Sequence, residues 1–187
     1  MILPLTQTTA ERAPDLRTIF LTQHRRLFKV AYHLTSSRHE AEDVVQDVFV
    51  RLHERLAQFH GEAKLSTWLY RMTVNASLDA LRRFKRRQKW ETALTLPEIE
   101  AGANANGALA HSQSELAEKV QIALARLRKP YRAAIVLRDF EGLAYDEIAA
   151  VLQIDKGTVA SRLHRGYAKL QKELAALGVD RSYLNNP

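Results

Sequence analysis

The 187-residue chain contains no cysteine. Disulfides, thiolate zinc sites and cysteine nucleophiles are therefore excluded. Glycine and proline are scarce, with seven and five copies, and no strand pair joined by a turn dipeptide is found. No run approaches the roughly 18 apolar residues of a membrane span. The opening "MILPLTQTTAERAPDL" lacks a basic segment followed by an apolar core and does not read as a signal peptide. The expectation is a soluble, cytoplasmic protein without membrane insertion. The seven histidines are scattered, with no HExxH or comparable pairing, so no metal and no cofactor is expected.

What the chain does contain is apolar residues at 46% and charged residues at 26%, enough to build cores. The formal charge is +7 and the pI near 9.8, which favours a polyanionic partner.

The periodicity is helical throughout. Leu16, Phe20, Leu27, Val30, Ala31 and Leu34 fall near one face. Ser37 with Glu40 reads as a capping box. It opens a helix whose stripe is Ala41, Val44, Val45, Val48, Leu52 and Leu56. "FHGEAKLS" is a loop, and Ser66 a candidate cap for a third helix whose apolar face holds Leu69, Met72, Ala76, Ala80 and Phe84. Residues 92–113 are rich in Ala, Gly and Asn and predict a flexible linker. A second unit restarts at Ser114 or Glu115, with Leu116, Val120, Ala123, Leu124 and Leu127 on one stripe. Pro130 opens the next helix and Gly142 follows its end. A short helix, a break at Gln153-Ile154-Asp155 and a longer basic helix then outline a helix-turn-helix. The predicted class is all-α: a domain at 1–91, a linker at 92–113 and a domain at 114–187.

Three stretches carry chemistry. In the last helix Thr158, Ser161, Arg162, Arg165 and Lys169 share the face opposite Val159, Leu163 and Leu170. Arginine bonds bidentately to guanine, and the N-terminal residues of a recognition helix reach bases. In the third helix Trp68, Arg71 and Asn75 align at i, i+3, i+7. An aromatic, a cation and an amide there would stack on, neutralise and read an unpaired base, stacking being worth about 1–3 kcal/mol. Behind them come six cations in the eight residues 82–89. Cations suit a helix C-terminus, but so many at helical spacing repel one another, and a phosphate backbone would relieve that. On the second helix Glu40, Asp43 and Asp47 lie opposite the valine stripe. Their spacing matches no metal-ligand motif, and the acidic face fits a protein partner. An ordinary solvated basic helix, with Trp68 and Tyr70 as core aromatics, remains the plain alternative.

The stretches 27–87 ("LFKVAYHLT…LRRFKRR") and 123–170 ("ALARLRKPY…GYAKL") closely resemble the extracytoplasmic-function sigma factors, small two-domain members of the sigma-70 family. The resemblance implies a non-enzymatic initiation factor that binds core RNA polymerase and promoter DNA, both duplex and non-template single strand. Glu42, Asp43, Gln46, Asp47 and Phe49 match the polymerase-gripping motif. Phe59, Gly61, Lys64, Ser66, Trp68, Arg71 and Asn75 match the promoter-melting segment of the region 2 domain at the minus-ten element. Arg82, Arg83, Arg86 and Arg87 would track the adjoining phosphates. Lys156, Thr158, Ser161, Arg162 and Arg165 match the minus-thirty-five helix of the region 4 domain. An anti-sigma factor is the further partner it implies. The chain departs from the pattern at Ala160, at Gly166-Tyr167 where a cation is lost, and at Gln153 where the turn usually offers glycine. A free-standing helix-turn-helix regulator and a metal-dependent nuclease are the rival readings; neither uses the whole ordered set of segments.

Overall fold

The computed structural model describes residues 15–56, 64–91 and 108–179, with only the helical backbone for 87–91 and 108–114. The all-α expectation holds: among the described residues there are seven α-helices and one π-helical turn.

Helix α1, Leu16–Thr35, starts at Asp15, whose carboxylate accepts the Thr18 N–H at 2.6 Å. That bond and one from the Thr18 hydroxyl hold the Asp15 carboxyl below its ordinary value. The helix ends at Ser36, left-handed at φ 60, its N–H bonded to Tyr32 O at 2.8 Å. Helix α2, Arg38–Arg55, is capped by Ser37, which accepts from Glu40 N–H at 3.3 Å. Helix α3, Leu65–Glu91, starts one residue before Ser66. Trp68 N–H bonds back to Lys64 O, so Ser66 lies inside the first turn and is not the cap expected of it.

The three helices pack on one another through Leu27, Val30, Leu34, Val44, Val48, Leu52, Leu69 and Val74. Buried Thr73 and Ser77 on α3 are satisfied by the carbonyls of Leu69 and Thr73. One expectation fails: Phe20 stays 43% exposed while its neighbour Ile19 is buried. One hundred degrees of rotation per residue lets either fit the stripe, and the smaller, branched side chain is the one that enters the core.

Residues 92–107, most of the expected linker, lie outside the described residues, as do 1–14, 57–63 and 180–187. Helix α4, Ala108–Arg126, begins six residues before Ser114. Ala108, Leu109 and Ala110 are good helix formers with no breaker among them, so the helix extends back to them.

Helix α5, Lys129–Ile135, has Pro130 in its first turn and widens into the π-turn Val136–Phe140. Gly142 at φ 68 ends it, and Leu143 N–H reaches back six residues to Leu137 O at 3.1 Å, one residue further than a Schellman bond because the turn is π-helical. Helix α6, Tyr145–Leu152, ends on left-handed Gln153 (φ 54). Helix α7, Lys156–Ala176, starts at Asp155, which accepts the Thr158 N–H at 2.7 Å. Leu124, Ile135, Leu137, Ile148, Val159 and Leu163 form the core of this half, with α7 crossing α5. The halves are in contact: α1 meets α4 and the π-turn, and α3 meets α6.

Candidate nucleic-acid and polymerase interfaces

On α2 the capping at Ser37 and the inward valines turn Glu42, Asp43, Gln46 and Asp47 outward, all four exposed. Glu42 pairs with Arg38 at 3.0 Å and Asp43 meets His39 at 3.3 Å, both at i, i+4 on open surface where such pairs are weak. Phe49 is nearly buried. Its ring lies 4.8 Å from that of Phe20 and 6.3 Å from that of His24. The acidic face therefore ends in an aromatic patch shared with α1, which periodicity alone does not reveal because Phe20 fits the core stripe.

On α3, Trp68 is half-buried against the core and Asn75 is exposed. Arg71 does not face open solvent. Its Nη2 donates to the Ala150 carbonyl of α6 at 2.7 Å, and its buried Nε has no partner. Lys64 reaches Glu147 of α6 at 3.1 Å. The Glu147 carboxyl is held low, first by the Ala144 N–H and then by Lys64. Ser66 is half-buried. Further along, Arg82 pairs with Asp79 at 2.5 Å, and Arg83 and Arg86 are exposed. Of Arg87 only the backbone is described, and Phe59 and Gly61 lie outside the described residues. The cationic end of α3 approaches α5: Lys129 is pushed below its ordinary value by desolvation and then by Lys85, Arg82 and Arg132.

On α7, Lys156 pairs with Asp146 at 2.9 Å and Arg165 is exposed. Arg162 and Ser161 are half-buried, and the Ser161 hydroxyl donates to Thr158 O at 3.0 Å. The Thr158 hydroxyl donates to the capping carboxylate of Asp155, which both Thr158 bonds hold below its ordinary value. Thr158 thus serves as a cap partner at the start of α7.

Gln121, His33, Arg132, Glu141 and Arg26, which join the two halves, escaped the sequence reading, and Tyr70 was weighed only as a core aromatic. Gln121 of α4 donates to Tyr32 O at 3.3 Å and Ser36 Oγ at 3.0 Å, and its amide oxygen meets His33 Nδ1 at 2.7 Å. Arg132 of α5 donates to Leu34 O at 2.5 Å and to Ala125 O; burial lowers it to about 10. Tyr70 donates to Glu141 at 2.5 Å, and Arg26 lies 3.5 Å from the same carboxylate oxygen. The available signal was a polar residue set among apolar ones, as in "KVQIAL" and "YRAAIV".

Among the described residues, no three His, Asp or Glu side chains gather to hold a metal ion, and no helix is long and apolar enough to cross a membrane.

Known families fit this division of the chain. The sigma-70 region 2 model matches residues 19–88, and the sigma-70 region 4 model matches residues 112–170. The sigma factor SigW of Bacillus subtilis is 32% identical over 158 residues, covering 81% of this chain and 84% of that protein. The chain belongs to the extracytoplasmic-function (ECF) sigma factors. ECF sigma factor SigE of Mycolicibacterium smegmatis is 37% identical over 150 residues, 80% of this chain, though the match spans only 58% of that protein. In fold, the chain resembles the sigma factor RpoE from Bartonella quintana, solved in complex with the anti-sigma factor NepR. The TM-score is 0.69 at 24% identity, covering 86% of this chain and 97% of that one. Region 2 of the ECF sigma factor thus spans nearly all of α1 to α3, and region 4 runs from α4 into α7.

Proposed function

We propose that this sigma factor binds core RNA polymerase in the cytoplasm and directs it to two-part promoters, itself catalysing nothing. The observation that carries the reading is the presence in one chain, in order, of an acidic outer helix face, an aromatic–cation–amide face and a helix-turn-helix. Glu42, Asp43, Gln46, Asp47 and Phe49 meet the polymerase. Trp68, Arg71 and Asn75, with Lys64, Ser66, Phe59 and Gly61, hold an unpaired base of the non-template strand, while Arg82, Arg83, Arg86 and Arg87 neutralise phosphates. Lys156, Thr158, Ser161, Arg162 and Arg165 read the upstream element in the major groove. Two weak contacts carried by one chain act jointly through effective concentration. An anti-sigma factor restrains the protein, as NepR partners the RpoE of similar fold.

The test is run-off transcription with purified core polymerase, a promoter-library template and this protein. Start sites that appear only on its addition support the reading, and their aligned upstream sequences give both promoter elements. No added start sites, with polymerase active under another sigma factor, would sink it in favour of a free-standing regulator.

A further inference from the structure

Two of the side chains assigned to an opened strand are already engaged by the other half of the chain. Arg71 is held by Ala150 O and Lys64 by Glu147, both on α6. The contact is built, not incidental. Arg132 and Gln121 are only 6% and 5% exposed, and both direct donors at the last turn of α1. A helix C-terminus presents carbonyls without intrahelical partners and the negative end of the dipole, so a cation and an amide suit it. A region 4 domain working alone would have no use for such donors, and burying them unpaired is costly.

The π-turn supplies the second part. One residue more per turn redirects the chain beyond it, and such turns mark functional positions. Here Phe140 sets its ring 4.0 Å from that of His33, and Glu141, its side chain 3% exposed, meets both Tyr70 and Arg26. The same closure is poorly satisfied where the DNA-facing cations lie. Arg71 Nε has no partner, and Lys129 is brought near Lys85 and Arg82.

We propose that the protein occludes itself: the α5–α6 side of region 4 closes over the strand-gripping face of α3, latched by Glu141 on Tyr70 and Arg26 and by Arg132 and Gln121 on the end of α1. The proposal rests on the reading that α3 grips a single strand. DNA or polymerase must then displace an intramolecular occupant, and apparent DNA affinity falls by the fraction of molecules that are open. Phosphates that pair Arg71 and separate Lys129 from the α3 cations favour the open state.

The absence of native cysteine permits a direct test in the full chain. Spin labels at Arg51→Cys on α2 and Lys172→Cys on α7, both exposed and outside every proposed site, report the distance between halves. Short randomised single-stranded DNA is the binding probe. The unlatched variants are Glu141→Gln and Tyr70→Phe, conservative changes chosen to keep each half folded. Otherwise unaltered protein should show one narrow, short distance that lengthens on adding DNA. Loss of the charge-assisted bond in Glu141→Gln should broaden that distance and tighten DNA binding about tenfold. A broad distribution without DNA in the parent, two variants that stay closed, or opening without tighter binding would each overturn the proposal. Start sites in run-off assays alongside unchanged oligonucleotide affinity in Glu141→Gln would leave the initiation reading standing and remove the occlusion. Tighter oligonucleotide binding without start sites would do the reverse.

Discussion

Gln153 closes α6 in the left-handed region, at φ 54 and ψ 49, where a Cβ crowds the backbone. An L side chain there costs about 1–2 kcal/mol, and glycine carries no such penalty, although it loses more freedom on folding. Gln153→Gly is expected to stabilise the chain by about 1 kcal/mol, read as a raised urea midpoint at unchanged slope. An unchanged or lower midpoint would show that the glutamine side chain compensates for its backbone. This position was legible in the sequence, because a short apolar helix, a three-residue break and a new cap allow few backbone paths. Phe20 was not. Its spacing fits the α1 stripe as well as that of Ile19, and only tertiary packing turns Ile19 in and leaves Phe20 beside Phe49. Arg71 illustrates a further limit: periodicity aligned it with Trp68 and Asn75, but no local pattern could name the Ala150 carbonyl 79 residues away that accepts from it.

Helices with polar caps and clean stripes were readable as elements: α1 from Leu16, α2 from Ser37 and α7 from Asp155. The π-turn was not, since widening one turn of a helix leaves no residue signature. Gly166 shows how an element can be found while the reason for a residue is missed. From sequence it was part of a departure in which a cation is lost. In the fold it is buried where α7 crosses α5, and a Cβ would sit 2.9 Å from Ile135 Cδ1 and 3.4 Å from Tyr131 Cβ. The next residue, Tyr167, donates to Asp139 at 2.9 Å, and burial, then that carboxylate, raise its hydroxyl to about 12. Gly166→Leu should therefore destabilise by about 1–3 kcal/mol through overpacking, while Gly166→Ala should be far milder because only the tip of Ile135 must shift. Thermal unfolding of both checks this; equal losses would mean that the crossing already excludes the first Cβ and that the tip of Ile135 does not yield. The outer face of α2 predicts the opposite balance. Asp47→Lys touches no core and should leave stability within about 0.5 kcal/mol, while core-polymerase capture and run-off transcription fall at least several-fold. Unaltered capture would remove Asp47 from the polymerase face.

Across the whole molecule, closure makes one side chain sensitive to pH. His33 stands at the end of α1, with Lys29 on its own helix, Gln121 from α4 and Phe140 from the π-turn. Burial lowers its proton affinity; the Gln121 bond opposes this more weakly, and Lys29 adds to the lowering. In the open state the ring regains water and returns towards its ordinary value of 6.5. The open state thus binds protons more readily than the closed one. Above about 6.5 both states carry a neutral ring and closure keeps its full strength. As the pH falls through 6.5 towards the lower value of the closed state, protonation favours opening. The spin-labelled chain should accordingly give longer, broader distances near pH 5.5 than near pH 7.5. His33→Phe keeps a ring against Phe140 but cannot titrate, so its distances should not change between those two conditions. If the parent shows the same distances at both pH values, His33 is not buried by closure. If His33→Phe opens on acidification as the parent does, another group carries the response.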